Sequence, residues 1–212
     1  MTNTKSENLL LIFTRNPELG KCKTRLAKTV GDESALKIYK FLLDHTVSIT
    51  KQLDVNKAVY YSVKVRENDI WDETIYTKYQ QEGEDLGIRM QHAFEQGFKD
   101  GYKNIIIIGS DMYDMSQEDL EEAFSALKNH DAVVGPAEDG GYYLLGMRSL
   151  QTKVFTNKIW GTDTVLANTL KDLEDTNVKV LAERNDVDYF SDIKHVDAFQ
   201  QFLPNYLDKD FQ

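Results

Sequence analysis

Cysteine is almost missing from this chain: Cys22 is the only one in 212 residues. A lone cysteine makes no internal disulfide, no thiolate zinc site and no iron–sulfur cluster. It reads as a reduced thiol in a cytoplasmic protein. Proline is scarce as well, at positions 17, 136 and 204 only, and no Gly/Ser-rich, repetitive or low-complexity stretch appears. With no linker visible, residues 1–212 are expected to form a single domain, with a core from about residue 8 to residue 202 and short polar tails. A domain of this size buries roughly 70% of the surface its unfolded chain exposes, so no metal or disulfide staple is needed. Long apolar runs are also lacking. The longest, Leu9–Phe13 and Ile105–Ile108, fall far short of the ~20 residues that span a bilayer. The first has neither the length nor the cationic flank of a signal peptide. The histidines at 45, 92, 130 and 195 are dispersed, without zinc-like spacing, and no Ser/His/Asp set or nucleophile elbow stands out. Basic charge is in deficit, with 25 Lys and Arg against 35 Asp and Glu and a net charge of −10. That balance argues against nucleic acid or membrane as a partner, because phosphate surfaces are held by lysine and arginine. A small anionic substrate stays compatible, since a local basic loop can oppose the global charge.

What the chain does contain is alternation of strand-like and helix-like segments. Residues 9–14 are short and apolar and end in Arg15-Asn16-Pro17, a buried strand followed by a turn. Asp32 is placed to cap a helix whose apolar residues run from Ala35 to Leu53. Residues 58–63 and 75–79 read as strands, and 85–98 as a helix with Leu86, Met90, Ala93, Phe94 and Phe98 on its apolar side. Four consecutive isoleucines in 104–108 suit a central strand covered on both faces. Ser116 and Asp119 form a capping-box pattern ahead of a helix to about Lys128. Strands follow at 131–134, 142–147 and 178–182, with a helix at 164–173 and a last one capped by Ser191. The expected fold is therefore α/β: a three-layer α/β/α arrangement around a Rossmann-like, mostly parallel sheet. Ligands of such sheets bind beyond the carboxyl ends of the strands, which directs attention to the polar residues there.

After the first strand, Arg15, Lys21, Lys23 and Arg25 place four cations within eleven residues. With Gly20 nearby, the segment is either a solvated basic loop or a phosphate site in which backbone N–H groups and cationic side chains converge on an anion. It is neither a P-loop nor a dinucleotide fingerprint, because the required Ser/Thr and glycines are absent. After the isoleucine strand comes Asp111, either a turn former or a ligand for a hard divalent cation. After the last strand come Asp186 and Asp188, which share one side of an extended chain. They are an acidic turn or a second part of the same metal site. Residues 135–143, with Asp139, Gly140, Gly141 and Tyr142, join two strands, and the glycine pair permits close approach of a ligand. Trp160 and Thr162 form a further polar-aromatic turn before a helix.

Read together as Arg15-x-Pro17-x-x-Gly20-Lys21-x-Lys23-Thr24-Arg25-Leu26, Gly83-x-Asp85-Leu86-Gly87-x-Arg89-Met90, Gly109-Ser110-Asp111, Gly135-Pro136-Ala137-x-Asp139-Gly140-Gly141-Tyr142-Tyr143 and Asp186-Val187-Asp188, these segments resemble the bacterial glycosyltransferase-like family known as selenodomain-associated transferases. That family is similar to the phospholactate guanylyltransferases and belongs with the GT-A nucleotide-diphospho-sugar transferase fold. The resemblance covers nearly the whole chain. It implies a transferase that binds a nucleoside triphosphate or nucleotide sugar, with Mg²⁺ or Mn²⁺ as cofactor. It places phosphates on Arg15, Gly20, Lys21, Lys23 and Arg25, and assigns Gly83 and Asp85 to the nucleotide. It places the metal on Asp111 and Asp188 with Asp186 as alternate, and a small acceptor on Asp139, Gly140, Gly141, Tyr142, Trp160 and Thr162. Lys23, Arg25 and Asp111 are the expected catalytic groups. One departure is visible: the family usually has proline two residues after the Gly-Ser-Asp aspartate, and this chain has Tyr113. The alternative reading is a non-catalytic nucleotide-binding or scaffold protein that keeps the fold.

Overall fold

The computed structural model describes residues 6–205 and 207. The expected polar tails lie largely outside them. Seven strands form one mixed sheet: β1 (Asn8–Thr14), β2 (Asn56–Tyr61), β3 (Tyr76–Gln80), β4 (Asn104–Ile108), β5 (Ala132–Pro136), β6 (Tyr142–Met147) and β7 (Val178–Val180). Their order is β3-β2-β1-β4-β6-β5-β7. All neighbours are parallel except β6, which runs against both β4 and β5.

Period-2 alternation explains why the central strands are apolar throughout. Leu10, Ile12, Ile106 and Ile108 face one core, while Leu9, Leu11, Ile105 and Ile107 face another. The first core is closed by α2 (Asp32–Thr50) and α4 (Gln117–Ala126), through Tyr39, Leu43, Leu120 and Phe124. The second is closed by α3 (Leu86–Lys99), through Met90, Ala93 and Phe94, with α5 (Val165–Asp172) packed beside it. The result is the expected three-layer α/β/α fold. The capping box is present as read: the Ser116 hydroxyl accepts from the Asp119 N–H at 3.2 Å, and the Asp119 carboxylate accepts from the Ser116 N–H at 2.8 Å.

Several local features differ from the reading of the sequence. The second half of the basic loop is itself a helix, α1 (Thr24–Val30), which ends at Gly31. Because α2 starts at that same glycine, Asp32 becomes the first helical residue and makes no cap. Leu86 is exposed, so the apolar face of α3 begins at Met90. Ser191 caps nothing. It lies in a 3₁₀ turn (Phe190–Asp192) whose Asp192 carboxylate takes the N–H groups of Asp188 and Tyr189, at 2.9 and 2.6 Å. A carboxylate offers two charged acceptors where a serine offers one neutral oxygen. The last helix is a single turn, α6 (Asp197–Gln200).

Candidate functional site

The carboxyl ends of β1 and β4, the amino end of the antiparallel β6 and the segment after β7 converge on one side of the sheet. Lys23 holds the centre. It has left-handed backbone angles, φ 48° and ψ 46°, which cost an L-residue roughly 1–2 kcal/mol. This twist aims its side chain, only 5% exposed, at two acids: Nζ donates to Asp111 Oδ2 at 2.9 Å and to Asp188 Oδ1 at 3.2 Å. Burial alone would lower the Lys23 pKa, but the charges of Asp111 and Asp188 and the Asp111 hydrogen bond push it up to about 12. For Asp111 the enclosure opposes ionisation, and the Lys23 charge and hydrogen bond more than offset it, leaving the pKa below the usual carboxylate range. Arg25, on α1 and half exposed, donates from Nη1 to Asp188 Oδ2 at 2.7 Å, with its guanidinium 5.6 Å from the centre of the Tyr189 ring.

The loop bearing Asp111 is fixed from several sides. The buried Tyr39 hydroxyl, on α2, meets Ser110 Oγ at 3.2 Å and Thr14 Oγ1 at 3.3 Å. It also accepts from the Arg15 N–H at 2.9 Å and lies 3.1 Å from the Arg15 carbonyl. One phenol thus ties the end of β1 to the end of β4. Tyr113, where the resemblance leads to an expectation of proline, packs its ring 4.9 Å from Phe199 and 5.7 Å from Phe41, centre to centre. The aromatic anchor holds the loop against α2 and α6 by packing. Met112 pairs with Asp186 as an isolated bridge, and the Val187 N–H reaches the Asp111 carbonyl at 3.3 Å. These contacts join the loop to the Asp-x-Asp segment.

Asp186 and Asp188 do different things. Asp188 pairs with Lys23 and Arg25. Asp186 faces a cavity with Asp111 and has no ion pair among the described residues. Burial, then the neighbouring Asp111 charge, raises its pKa to about 6. No group of three His, Cys, Asp or Glu side chains among the described residues is arranged to hold an ion. The donor chemistry nonetheless fits a hard cation. Asp111 and Asp188 already close around an ammonium, and Asp186 beside them has its pKa raised by burial and by the Asp111 charge.

The cavity, about 240 Å³, opens between β4, β6 and the amino ends of α3 and α5. Asp139, Gly141, Tyr142, Trp160 and Thr162 all line it, together with Asp111 and Asp186. The expected acceptor residues are therefore brought together. Gly140 stands behind them: its φ is +84°, and an added Cβ would collide with the Asp163 backbone. The strict need for glycine in this turn falls at Gly140. Gly141 has an ordinary conformation, and its N–H donates to Asp139 Oδ1 at 2.8 Å. Gly87, on α3, is also constrained, since a Cβ there would collide with the Phe155 carbonyl oxygen and stand 2.7 Å from Cζ2 of Trp160.

Other candidates lie apart from this cluster. Lys21 is exposed and paired with Glu18 at 2.8 Å, in the turn that Gly20 supports at φ +70°. Arg15 is exposed; its charge helps to lower the Asp111 pKa, and it flanks a second hollow, about 420 Å³, with Lys40 and Arg66. Asp85 caps α3, accepting the Ile88 N–H at 2.9 Å, and the Gly83 carbonyl accepts from Arg89 Nε at 2.9 Å. Both shape the entry to α3 and leave the cavity wall to Leu86 and Met90. Tyr39, Phe13 and Met112 were not singled out from the sequence, because an apolar or aromatic residue in a periodic segment reads as core.

A family model described as "Uncharacterized protein conserved in bacteria (DUF2064)" matches residues 45–162, more than half of the chain. The chain belongs to the DUF2064 family. The matched span includes Asp111, the 135–143 turn and Trp160, and excludes the basic loop and the Asp-x-Asp segment. This DUF2064 protein is 34% identical to a Desulfovibrio desulfuricans G20 protein of known structure, provisionally described as a nucleotide-diphospho-sugar transferase. Their TM-score is 0.79, covering 87% of this chain and 83% of that one. It is also 29% identical over 136 residues to the 2-phospho-L-lactate guanylyltransferase of Methanocaldococcus jannaschii, a match over 62% of this chain and slightly over half, 56%, of that protein. The 4-diphosphocytidyl-2C-methyl-D-erythritol synthase of Anaerococcus prevotii shares the fold alone, at 12% identity and a TM-score of 0.53 over 93% of this chain and 99% of that one.

Proposed function

We propose that this protein is a divalent-metal-dependent transferase acting on a nucleoside triphosphate or a nucleotide sugar, with nucleotidyl transfer to a small acceptor as its reaction. The observation that carries the reading is the Lys23 bridge between Asp111 and Asp188 at the rim of the cavity. A buried lysine just ahead of one short helix and an arginine on it, set against acids from two other loops, supply the parts for holding a polyphosphate. The guanylyltransferase relative and the nucleotide-diphospho-sugar transferase neighbour support a transferase of activated nucleotides.

In this reading Asp111, with Asp186 or Asp188, would hold Mg²⁺ or Mn²⁺, which when bound offsets phosphate charge. Lys23 and Arg25 bind phosphate oxygens and stabilise the leaving group. Asp139, with one oxygen engaged by Gly141, orients an acceptor hydroxyl through the other. In nucleotidyl transfer the acceptor oxygen bonds to the α-phosphorus, the bond from that phosphorus to the bridging oxygen breaks, and pyrophosphate leaves with the electron pair. The acceptor proton passes to a base. Transfer from a nucleotide sugar would release a nucleoside diphosphate or monophosphate instead, so product identity separates the two. A thermal-shift screen of nucleotides and nucleotide sugars, with and without Mg²⁺ or Mn²⁺, tests the reading. A ligand at 100 times its Kd adds about 2.7 kcal/mol of stability, and absence of any metal-dependent shift would refute it.

A further inference from the structure

The cavity beside Asp111 has a charge pattern that bears on the acceptor. Three carboxylates line it, from Asp111, Asp139 and Asp186, and none of the described lining residues is Lys, Arg or His. The remaining wall is apolar and aromatic, with Trp160, Tyr142 and Met90 facing the space. Among the described residues the Tyr142 hydroxyl meets the Met90 thioether alone, at 3.8 Å, and the enclosure raises its pKa strongly. A phenol with so weak a partner is available to a ligand. No basic side chain lines the space itself; Lys23 and Arg25 are paired with Asp188 at its rim, and they and Arg15, whose charge acts on Asp111, are assigned by the transferase reading to the donor's phosphates.

We infer that the acceptor is an uncharged or cationic alcohol or amine with a flat apolar body, and not a phosphorylated acid. The inference rests on the transferase reading above and narrows its substrate class. An acid phosphate needs arginine or lysine forks within reach, and this cavity offers carboxylates. A divalent cation on Asp111 and Asp186 would leave Asp139 charged, and a bound triphosphate would bring further negative charge to the same rim. Like charges brought together at an interface cost several kcal/mol. Asp139 and Tyr142 instead suit a donor hydroxyl or ammonium, while Trp160 and Met90 suit an apolar ring. The volume, about 240 Å³, lies below the ~300–1,000 Å³ of typical drug-sized sites, which favours a small molecule. The acceptor therefore differs in charge class from the 2-phospho-L-lactate named for the archaeal relative.

The test is calorimetric titration of the full chain with three probes: 4-hydroxybenzyl alcohol, tyramine and 2-phospho-L-lactate, each without and with Mg²⁺ and GTP. Tyramine and the alcohol are expected to bind at least about tenfold more tightly than phospholactate, since each 1.4 kcal/mol is tenfold. Asp139→Asn should shrink the gap between tyramine and phospholactate, and Trp160→Ala should weaken tyramine and the alcohol. Trp160→Phe, which keeps an aromatic wall, should retain most of their affinity and guards against a folding defect in the alanine variant. Phospholactate binding as tightly as tyramine, or no binding of either uncharged or cationic probe at millimolar concentration, would overturn the inference. Thermal shifts with Mg²⁺ and nucleotides on the same samples report separately on the transferase reading.

Discussion

On the β1 side of the cleft, Lys23 and Arg25 each meet a carboxylate at 2.7–3.2 Å. On the β6 side, Asp139 and Asp186 form no ion pair with any described residue. The pKa shifts follow that difference. Asp111, beside Lys23, is held below the ordinary range, whereas Asp186, a bridge partner of the very next residue, rises to about 6. On the proposed reading, one wall of the cleft serves a polyphosphate, with a left-handed backbone holding its lysine in place. The other is an aromatic hollow edged with acid. A donor rich in negative charge and an acceptor without it would be sorted by these two walls.

The largest effect is expected where the walls meet. Asp111→Asn leaves Lys23 with half of its bridge and removes the acid common to both walls. Breaking a buried charged pair costs about 2–5 kcal/mol, so metal-dependent nucleotide affinity should fall about a hundredfold, read by calorimetry with Mn²⁺. Lys23→Ala and Arg25→Ala should each weaken triphosphate binding more than nucleoside binding. Charge-assisted contacts are worth roughly 1.5–3 kcal/mol, so about tenfold is expected for the exposed Arg25 and more for the buried Lys23. Equal losses for nucleoside and triphosphate would indicate a damaged fold. Gly87→Ala acts where α3 meets the other wall. It drives a methyl into the Phe155 carbonyl and the Trp160 ring, and overpacking of this kind costs about 1–3 kcal/mol. Acceptor-probe affinity should drop while nucleotide affinity stays within a few-fold.

Two smaller effects probe the supports beneath the walls. Tyr39→Phe removes the hydroxyl shared by Thr14, Arg15 and Ser110, at about 1 kcal/mol for a lost hydrogen bond. The nucleotide Kd should rise by more than the acceptor-probe Kd, because the phenol holds only the β1 and β4 loops. Asp119, in its capping box and paired with Arg184 at 2.6 Å, has a lowered pKa: burial opposes ionisation, and the Ser116 N–H and Arg184 outweigh it. Its folded pKa lies below the unfolded value of about 3.9. Its contribution is therefore fully present well above that pH and is lost as pH falls through the folded pKa. Asp119→Asn should lower stability at neutral pH and flatten the loss of stability below about pH 4, measured by urea unfolding at several pH values.

Much of this arrangement was legible in the residues themselves. Four consecutive isoleucines marked the central strand, because only a strand buried on both faces uses an unbroken apolar run. Asp111 at its end, and the capping box at Ser116, followed from position. Helix α1 was not legible, since its seven residues carry two cations and too little apolar periodicity to announce a helix. The division of labour between Asp186 and Asp188 depends on which of them meets Lys23, and only the folded loops decide that. The glycine requirement at Gly140 arises from the Asp163 backbone, some twenty residues along the chain.

The central claim is that the Lys23–Asp111–Asp188 cluster serves a metal-bound polyphosphate. Its most direct test is one calorimetric series: nucleoside triphosphate against wild type and Asp111→Asn, each with and without Mn²⁺. The account predicts tight binding to the wild type that requires Mn²⁺, and weak, Mn²⁺-independent binding to the variant. Equal affinities for the two proteins in the presence of Mn²⁺ would contradict it.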